Sequence, residues 1–263
     1  MITFRKYFLL AGFLFILLEA KPQPVQFFNT RLGIDMQAQR DEGMSPLSFR
    51  GPGIYFGAEY QRTIHRRTDW IEVNHTRSKL INTKNNPLSE LASSIKTFTF
   101  YHADGANSKM LHYGWSNINA LTLRNNSSFD NFSERSDYYT SFGPAIRLHY
   151  PFSLFNLNFS ANAITHMQLI GFFMRPSIAT NAPKGFIVHN NSFWNAFTES
   201  AELFYPGKAW NLGFRPKLSY HMQSGNKLTV CYDFDYLKLN SITTLTRASG
   251  TWKLTLSARL SKL

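Results

Sequence analysis

Three residues late in the chain have the types that nucleophilic chemistry needs. Ser219 and His221 stand two apart, so they share one face of any strand that holds them. Asp233 would come diagonally near Ser219 if the two segments pair. A hydroxyl, a base and an orienting carboxylate are the parts of an activated nucleophile. Alternating polar residues also line every polar-filled barrel, and that origin is the commoner one. Four charges lie on the same faces: Arg215 and Lys217 on one segment, Asp233 and Asp235 on the next. A three-residue Ser224-Gly225-Asn226 loop would pair Gln223 with Lys227. Lys217 then stands opposite Asp233, and Arg215 opposite Asp235. Such cross-strand charge pairs contribute about 0.2–1 kcal/mol each. The expectation is a charge ladder on an enclosed face, joined there by Arg31, Arg147, Lys253 and Arg259. No metal site is expected, because the eight histidines are scattered and Cys231 is the single cysteine. No cofactor is expected either, since no phosphate-binding glycine loop or dinucleotide fingerprint occurs.

The elements that must position these residues announce themselves by strict alternation. Trp210, Leu212, Phe214, Pro216, Leu218 and Tyr220 alternate with Asn211, Gly213, Arg215, Lys217, Ser219 and His221. Leu228 to Tyr236 and Trp252 to Leu260 repeat the pattern. Period two over about ten residues predicts β-strands, apolar on one face and polar on the other. Earlier segments follow suit. Phe28, Leu32, Ile34, Met36 and Ala38 oppose Asn29, Arg31, Asp35, Gln37 and Gln39. Further strands are predicted at about 54–61, 69–77, 96–102, 112–124, 138–150, 155–168, 193–204 and 242–247. The fifth blurs near Asn117 to Asn119, as a bulge would. The count is about twelve strands, with ten as the alternative.

The gaps sort by length. His65-Arg66-Arg67, Ala103 to Ala106, Tyr150-Pro151-Phe152, Tyr205-Pro206-Gly207 and Leu239-Asn240-Ser241 read as short turns at one end. Glu42 to Arg50, Ile81 to Ile95, Asn125 to Ser136 and Gly171 to Asn191 read as longer loops at the other. Aromatics near strand ends suggest two girdles. Trp210, Phe204, Tyr150, Phe155 and Tyr236 would lie at the short-turn end; Tyr220, Tyr138 and Trp252 would lie at the long-loop end.

Strands of this length, apolar on one side, suit an antiparallel up-and-down transmembrane β-barrel. A mean hydropathy of −0.26 is compatible, because only every second residue would meet lipid. The net charge of +12 favours anionic partners. Residues 1–20 read as a signal peptide: Arg5 and Lys6, then an apolar run from Tyr7 to Leu18, then Leu18-Glu19-Ala20 as a cleavage site. Residues 21–263 would form the barrel.

The leader together with the alternating strands resembles bacterial outer-membrane β-barrel proteins as a broad class. The resemblance implies export to the outer membrane of a Gram-negative bacterium and insertion by the barrel-assembly machinery. The chain departs from the class in ending its last strand on Leu260 rather than on an aromatic residue. Expected partners are outer-membrane lipid, lipopolysaccharide and another outer-membrane protein met through the long loops; nucleic acid is not expected. The expected role is a structural or partner-binding barrel, or a narrow pore, with a polar, charge-paired lumen. Two alternatives stand beside it. One is an outer-membrane hydrolase acting on lipid or peptide. The other is a secreted soluble β-sandwich, in which the apolar faces would pack together as a core.

Overall fold

The computed structural model describes residues 24–102, 110–126, 134–176, 187 and 192–260. Residues 1–20, read as a leader, lie outside them. The strands are β1 (Val25–Asp41), β2 (Ser48–Ile64), β3 (Arg67–Ile81), β4 (Pro87–His102), β5 (Leu111–Asn125), β6 (Glu134–Leu154), β7 (Leu157–Gln168), β8 (Ile170–Met174), β9 (Glu202–Phe204), β10 (Ala209–His221), β11 (Lys227–Asn240) and β12 (Thr244–Arg259). A short helix, α1 (Phe193–Ser200), precedes β9.

Ten strands close a ring in the order β1-β2-β3-β4-β5-β6-β7-β10-β11-β12, and every pairing is antiparallel. β8 and β9 lie outside the ring. β8 continues the line of β7 along β6 after Leu169, whose N–H donates to the Phe142 carbonyl at 2.9 Å. β9 pairs only with β8. Closure shows in the register. Val25 pairs with Thr63, Thr63 with Thr68, Thr68 with Phe100, Phe100 with Gly114 and Gly114 with Ala145. Ala145 pairs with His166, His166 with Gly213, Gly213 with Asp235, Asp235 with Ser249 and Ser249 with Gln37. The circuit returns to β1 twelve residues beyond its start, from Val25 to Gln37. That stagger is the tilt a closed barrel requires.

The alternation sorts side chains inside out relative to a water-soluble sheet. On β1, Leu32, Ile34 and Met36 are 60%, 63% and 59% exposed, whereas Arg31, Asp35 and Gln37 are 4%, 3% and 6% exposed. The soluble sandwich alternative fails on this point: one sheet closes on itself, and its apolar face points out. The outer wall is not uniform. Around β10, β11, β12, β1 and β2 it is apolar, with Phe214, Leu218, Val230, Phe234, Trp252, Leu254, Ile54 and Phe56 exposed. Around β3 to β6 it carries polar side chains that bond one another. His75 Nδ1 lies 2.9 Å from Ser93 Oγ, Asn119 donates to Asn117 at 2.5 Å, and Thr140 donates to Asn119 at 2.7 Å. Mutual bonding lowers the cost of setting such groups in an apolar wall.

The bore is packed, not hollow. Trp70, Phe98, Phe100, Ala145 and Ile164 form one buried cluster, with Trp70 and Phe100 edge to face at 5.4 Å. Phe173, Phe204, Leu237, Leu239 and Leu245 belong to a second.

The sheet has the expected twelve strands, of which ten, the alternative count, form the ring and two lie outside it. Several finer expectations are corrected. Phe193 to Phe204 is not one strand: Ser192 caps a helix by accepting from the Asn195 N–H, and only Glu202–Phe204 is extended. The segments expected at 242–247 and 251–260 are one strand, β12. Most of Ile81 to Ile95, expected as a loop, is strand. No bulge interrupts β5 at Asn117 to Asn119; its register is continuous on both sides. Tyr150-Pro151-Phe152 lies within β6, and the chain reverses instead at Phe155 and Asn156, both at positive φ (51 and 62). Such a two-residue turn matches the twist of the strands it joins. One end of the barrel, the near end, carries this turn, the β2–β3 and β10–β11 turns, the start of β1 and the finish of β12. Tyr205-Pro206-Gly207 and Leu239-Asn240-Ser241 lie at the opposite, far end. There Asn240 N–H donates to the Lys208 carbonyl at 2.9 Å. The girdle assignment changes with them. Trp210 and Tyr236 belong to the far end, Tyr220 to the near end, and Phe204 is fully buried.

Candidate functional site: the charge network across the bore

The inward faces of β1, β2, β3, β4, β10, β11 and β12 each supply at least one charged residue at mid-height. Arg31 of β1 contacts Glu59 of β2 and reaches Glu72 of β3 at 3.2 Å. Arg215 of β10 contacts the same Glu72, and its Nε lies 2.7 Å from Asp233 Oδ1 on β11. Lys253 of β12 also contacts Asp233. Lys217 lies 3.9 Å from Glu59. Lys96 of β4 donates to Asp235 at 2.9 Å, and His166 Nε2 stands 3.8 Å from the other oxygen of that carboxylate.

The decisive geometry is who pairs with whom around the ring. β3 and β10 are five strands apart in a ring of ten, so the Glu72–Arg215 pair spans the full diameter. β4 and β11 are also five apart, so Lys96–Asp235 is a second diametric tie. Glu72 is 0% exposed and Asp233 2% exposed. Room is made for these side chains. A Cβ on Gly213 would come within 2.1 Å of His166 Nε2, so glycine there lets the His166 ring lie against the wall.

A second knot closes the far end. Arg124 holds Asp41 at 2.5 Å and contacts Asp137. Arg175 holds the same two carboxylates at 2.8 and 3.2 Å, and donates to the Thr243 carbonyl at 2.6 Å. Arg135 donates to the Gly43 and Pro176 carbonyls. Loop backbone and barrel wall are thereby tied to one buried cluster. Buried charges are tolerated when paired and hydrogen-bonded in this way, and removing one partner is costly.

The residues expected to form a ladder are all on inward positions, but their pairing differs. The β10–β11 turn holds five residues, 222–226, so His221 pairs with Lys227 and Lys217 with Cys231. The register is shifted by two from a three-residue loop. Asp233 therefore meets Arg215 rather than Lys217, and Asp235 meets Lys96 rather than Arg215. Arg31 and Lys253 join the mid-height network. Arg147 faces the bore at the near end, where its Nε and NH2 donate to Asn162 Oδ1 at 3.2 and 2.9 Å. Arg259 sits exposed at the near rim.

Ser219, His221 and Asp233 are not brought together. Ser219 Oγ bonds Thr229 Oγ1 at 2.8 Å, and His221 Nε2 bonds Ser160 Oγ at 2.8 Å. Asp233 is held by Arg215, Lys253 and the Cys231 thiol, which donates at 3.0 Å. Among the described residues no group of three His, Cys, Asp or Glu side chains is placed to hold a metal ion. Sequence reasoning missed Glu72, Lys96, Asp41, Arg124, Asp137 and Arg175. Alternation could assign several of them to the inner face; nothing in a linear sequence pairs residues across a bore.

No family model matches the chain, and no curated protein does. Solved structures do. The transport unit of the autotransporter AIDA-I from Escherichia coli is 8% identical, with 96% of this chain and 95% of that one covered, at a TM-score of 0.46. The translocator domain of the autotransporter NalP from Neisseria meningitidis is 9% identical, with 90% and 89% covered, at 0.36. An outer membrane channel from Pseudomonas putida F1 is 8% identical, with 91% and 97% covered, at 0.40.

Proposed function

We propose that this chain is an outer-membrane barrel of a Gram-negative bacterium whose bore is closed by its own paired charges. It acts as a structural or partner-binding barrel rather than as an open pore. The observation that carries the reading is the pair of diametric ties, Glu72–Arg215 and Lys96–Asp235, inside a wall whose outward side chains are mostly apolar. An apolar exterior at β-strand spacing suits lipid, which tolerates a sheet only when no strand edge is left open. Ten strands enclose a bore narrow enough for side chains to fill, far below the 16–18 strands of an open porin. Partner contact then falls to the far-end connections between β1 and β2, β5 and β6, and β8 and β9. Lipid and lipopolysaccharide meet the wall, and the barrel-assembly machinery inserts it.

Two measurements test this. Cell fractionation with heat-modifiable gel mobility should place a folded barrel in the detergent-extracted envelope; a soluble secreted product would refute the membrane reading. Purified protein in planar bilayers should show no steady conductance. Ohmic channels in the wild type would replace the closed barrel by a narrow pore.

A further inference from the structure

The inner face is not charged evenly along the bore. At mid-height each cation has a carboxylate, and at the far end Arg124 and Arg175 share two, as described. At the near end Arg147, Lys217 and Lys227 line one cavity with His149, Ser160 and Asn162. Glu59 is the only carboxylate lining that cavity, and Arg31 already contacts it. Among the described residues, no ion pair engages Arg147 or Lys227. They lean on neutral groups instead. Arg147 lies over the Trp70 ring at 5.0 Å, Lys217 over the same ring at 4.5 Å, and Lys227 over Phe27 at 3.9 Å. Asn162 Oδ1 fixes two of the cavity's groups at once, accepting from Arg147 and bonding His149 Nδ1 at 2.8 Å. Like charges held together in a part-buried cavity repel, and a buried charge without a counter-ion is costly. Ring faces and one amide oxygen offset only part of this.

We propose that this near-end cavity binds a phosphate-type oxyanion, with Arg147 and Lys227 as its principal ligands and His149 and Lys217 beside them. A planar guanidinium held by Asn162 presents parallel N–H groups, which suits a tetrahedral oxyanion; an ammonium adds a point charge. Two sources share that chemistry: a free phosphate and the phosphate of a lipid headgroup at the near rim. Arg62 near the end of β2 and Arg66 in the β2–β3 turn, at the same rim, add to the attraction for either.

The test uses the whole barrel, folded in neutral detergent at low ionic strength, with calorimetric titration by inorganic phosphate. A parallel titration uses dihexanoyl phosphatidic acid against dihexanoyl phosphatidylcholine. Saturable binding of one anion per barrel is expected. Lys227→Gln should weaken it about 10-fold, the usual loss for one charge-assisted hydrogen bond. Arg147→Gln with Lys227→Gln should abolish it. Arg40→Gln removes the same charge from the exposed far end, beside Glu42, and should titrate like the wild type. Heat-modifiable mobility checks that each variant folds. Lys227 begins β11 at the rim, so its single variant decides the matter if the double variant fails to fold. Binding of free phosphate assigns the site to the soluble anion; binding of phosphatidic acid alone assigns it to the headgroup. Absence of saturable binding to either, or equal titration of Lys227→Gln and Arg40→Gln, overturns the proposal. Channel conductance would overturn the closed bore without touching this site, and failed phosphate binding would leave the closed bore standing.

Discussion

The two ends of the bore are built from the same strands by the same alternation, yet they handle charge in opposite ways. At the far end Arg124 and Arg175 share Asp41 and Asp137, and each guanidinium touches both carboxylates. At the near end Arg147 and Lys227 rest on aromatic rings, and the carboxylate nearest to Lys217 is shared with Arg31. The mid-height network divides the two. The contrast teaches that a polar inner face is not one thing. Where charges are matched they are structural, and removing one should be expensive. Where they are unmatched they are a liability to the fold, so removing one should be cheap.

The largest effect is expected at mid-height. Glu72→Ala strips Arg215 and Arg31 of a shared partner and leaves two buried cations crowded together. A broken buried pair costs about 3–5 kcal/mol. Urea unfolding in detergent should show that loss, and the folded band on unheated gels should convert at lower temperature. Unchanged stability would mean that the ties across the bore are not holding the wall. At the far end Arg175→Ala should cost less, about 2–3 kcal/mol, because Arg124 still holds both carboxylates after the substitution. A loss equal to that of Glu72→Ala would erase the distinction between a shared knot and a diametric tie.

What the sequence made legible follows from the physics of each signal. Alternation reports which face a residue occupies, so Arg31, Arg215, Asp233 and Lys253 could be set inside before any partner was known. The closed sheet and the outward apolar face were legible for the same reason. Register was not. It hung on the placement of one turn: His221 pairs with Lys227, so five residues, 222–226, lie between the strands where three were expected. The shift of two preserved every face and changed every pair. Partners across the bore were beyond reach because Glu72 and Arg215 are brought together only by closure. Arg175 was lost differently: it lies just past β8, in a stretch whose composition reads as loop. The blur at Asn117 and Asn119 had a side-chain cause, since those residues face outward and bond each other while the backbone register runs on.

A smaller effect tests packing rather than charge. Gly213→Ala would press a methyl group into the His166 ring, which must move from its place 3.8 Å from Asp235. Overpacking of this kind costs about 1–3 kcal/mol, and the lower half of that range is expected because a side chain, not backbone, must yield. The readout is again urea unfolding. Full neutrality would show that the mid-height layer has slack that the matched charges do not require.

The smallest effect is the most telling for the comparison. Lys227→Gln removes a cation that has a ring but no carboxylate beside it. If the near end is unmatched, stability in phosphate-free, low-salt detergent should change by no more than about 0.5 kcal/mol, in either direction. The sign carries information. Relief of repulsion from Arg147 favours the variant, and loss of the Phe27 contact opposes it. Added salt screens repulsion between part-exposed charges, so the wild type should gain on the variant as ionic strength rises. Phosphate should do the same at far lower concentration if the cavity holds it, because a ligand that binds only the folded state stabilises that state by mass action. A destabilisation as large as that of Arg175→Ala, insensitive to salt and phosphate alike, would show that Lys227 has a structural partner after all and that both ends of the bore are matched.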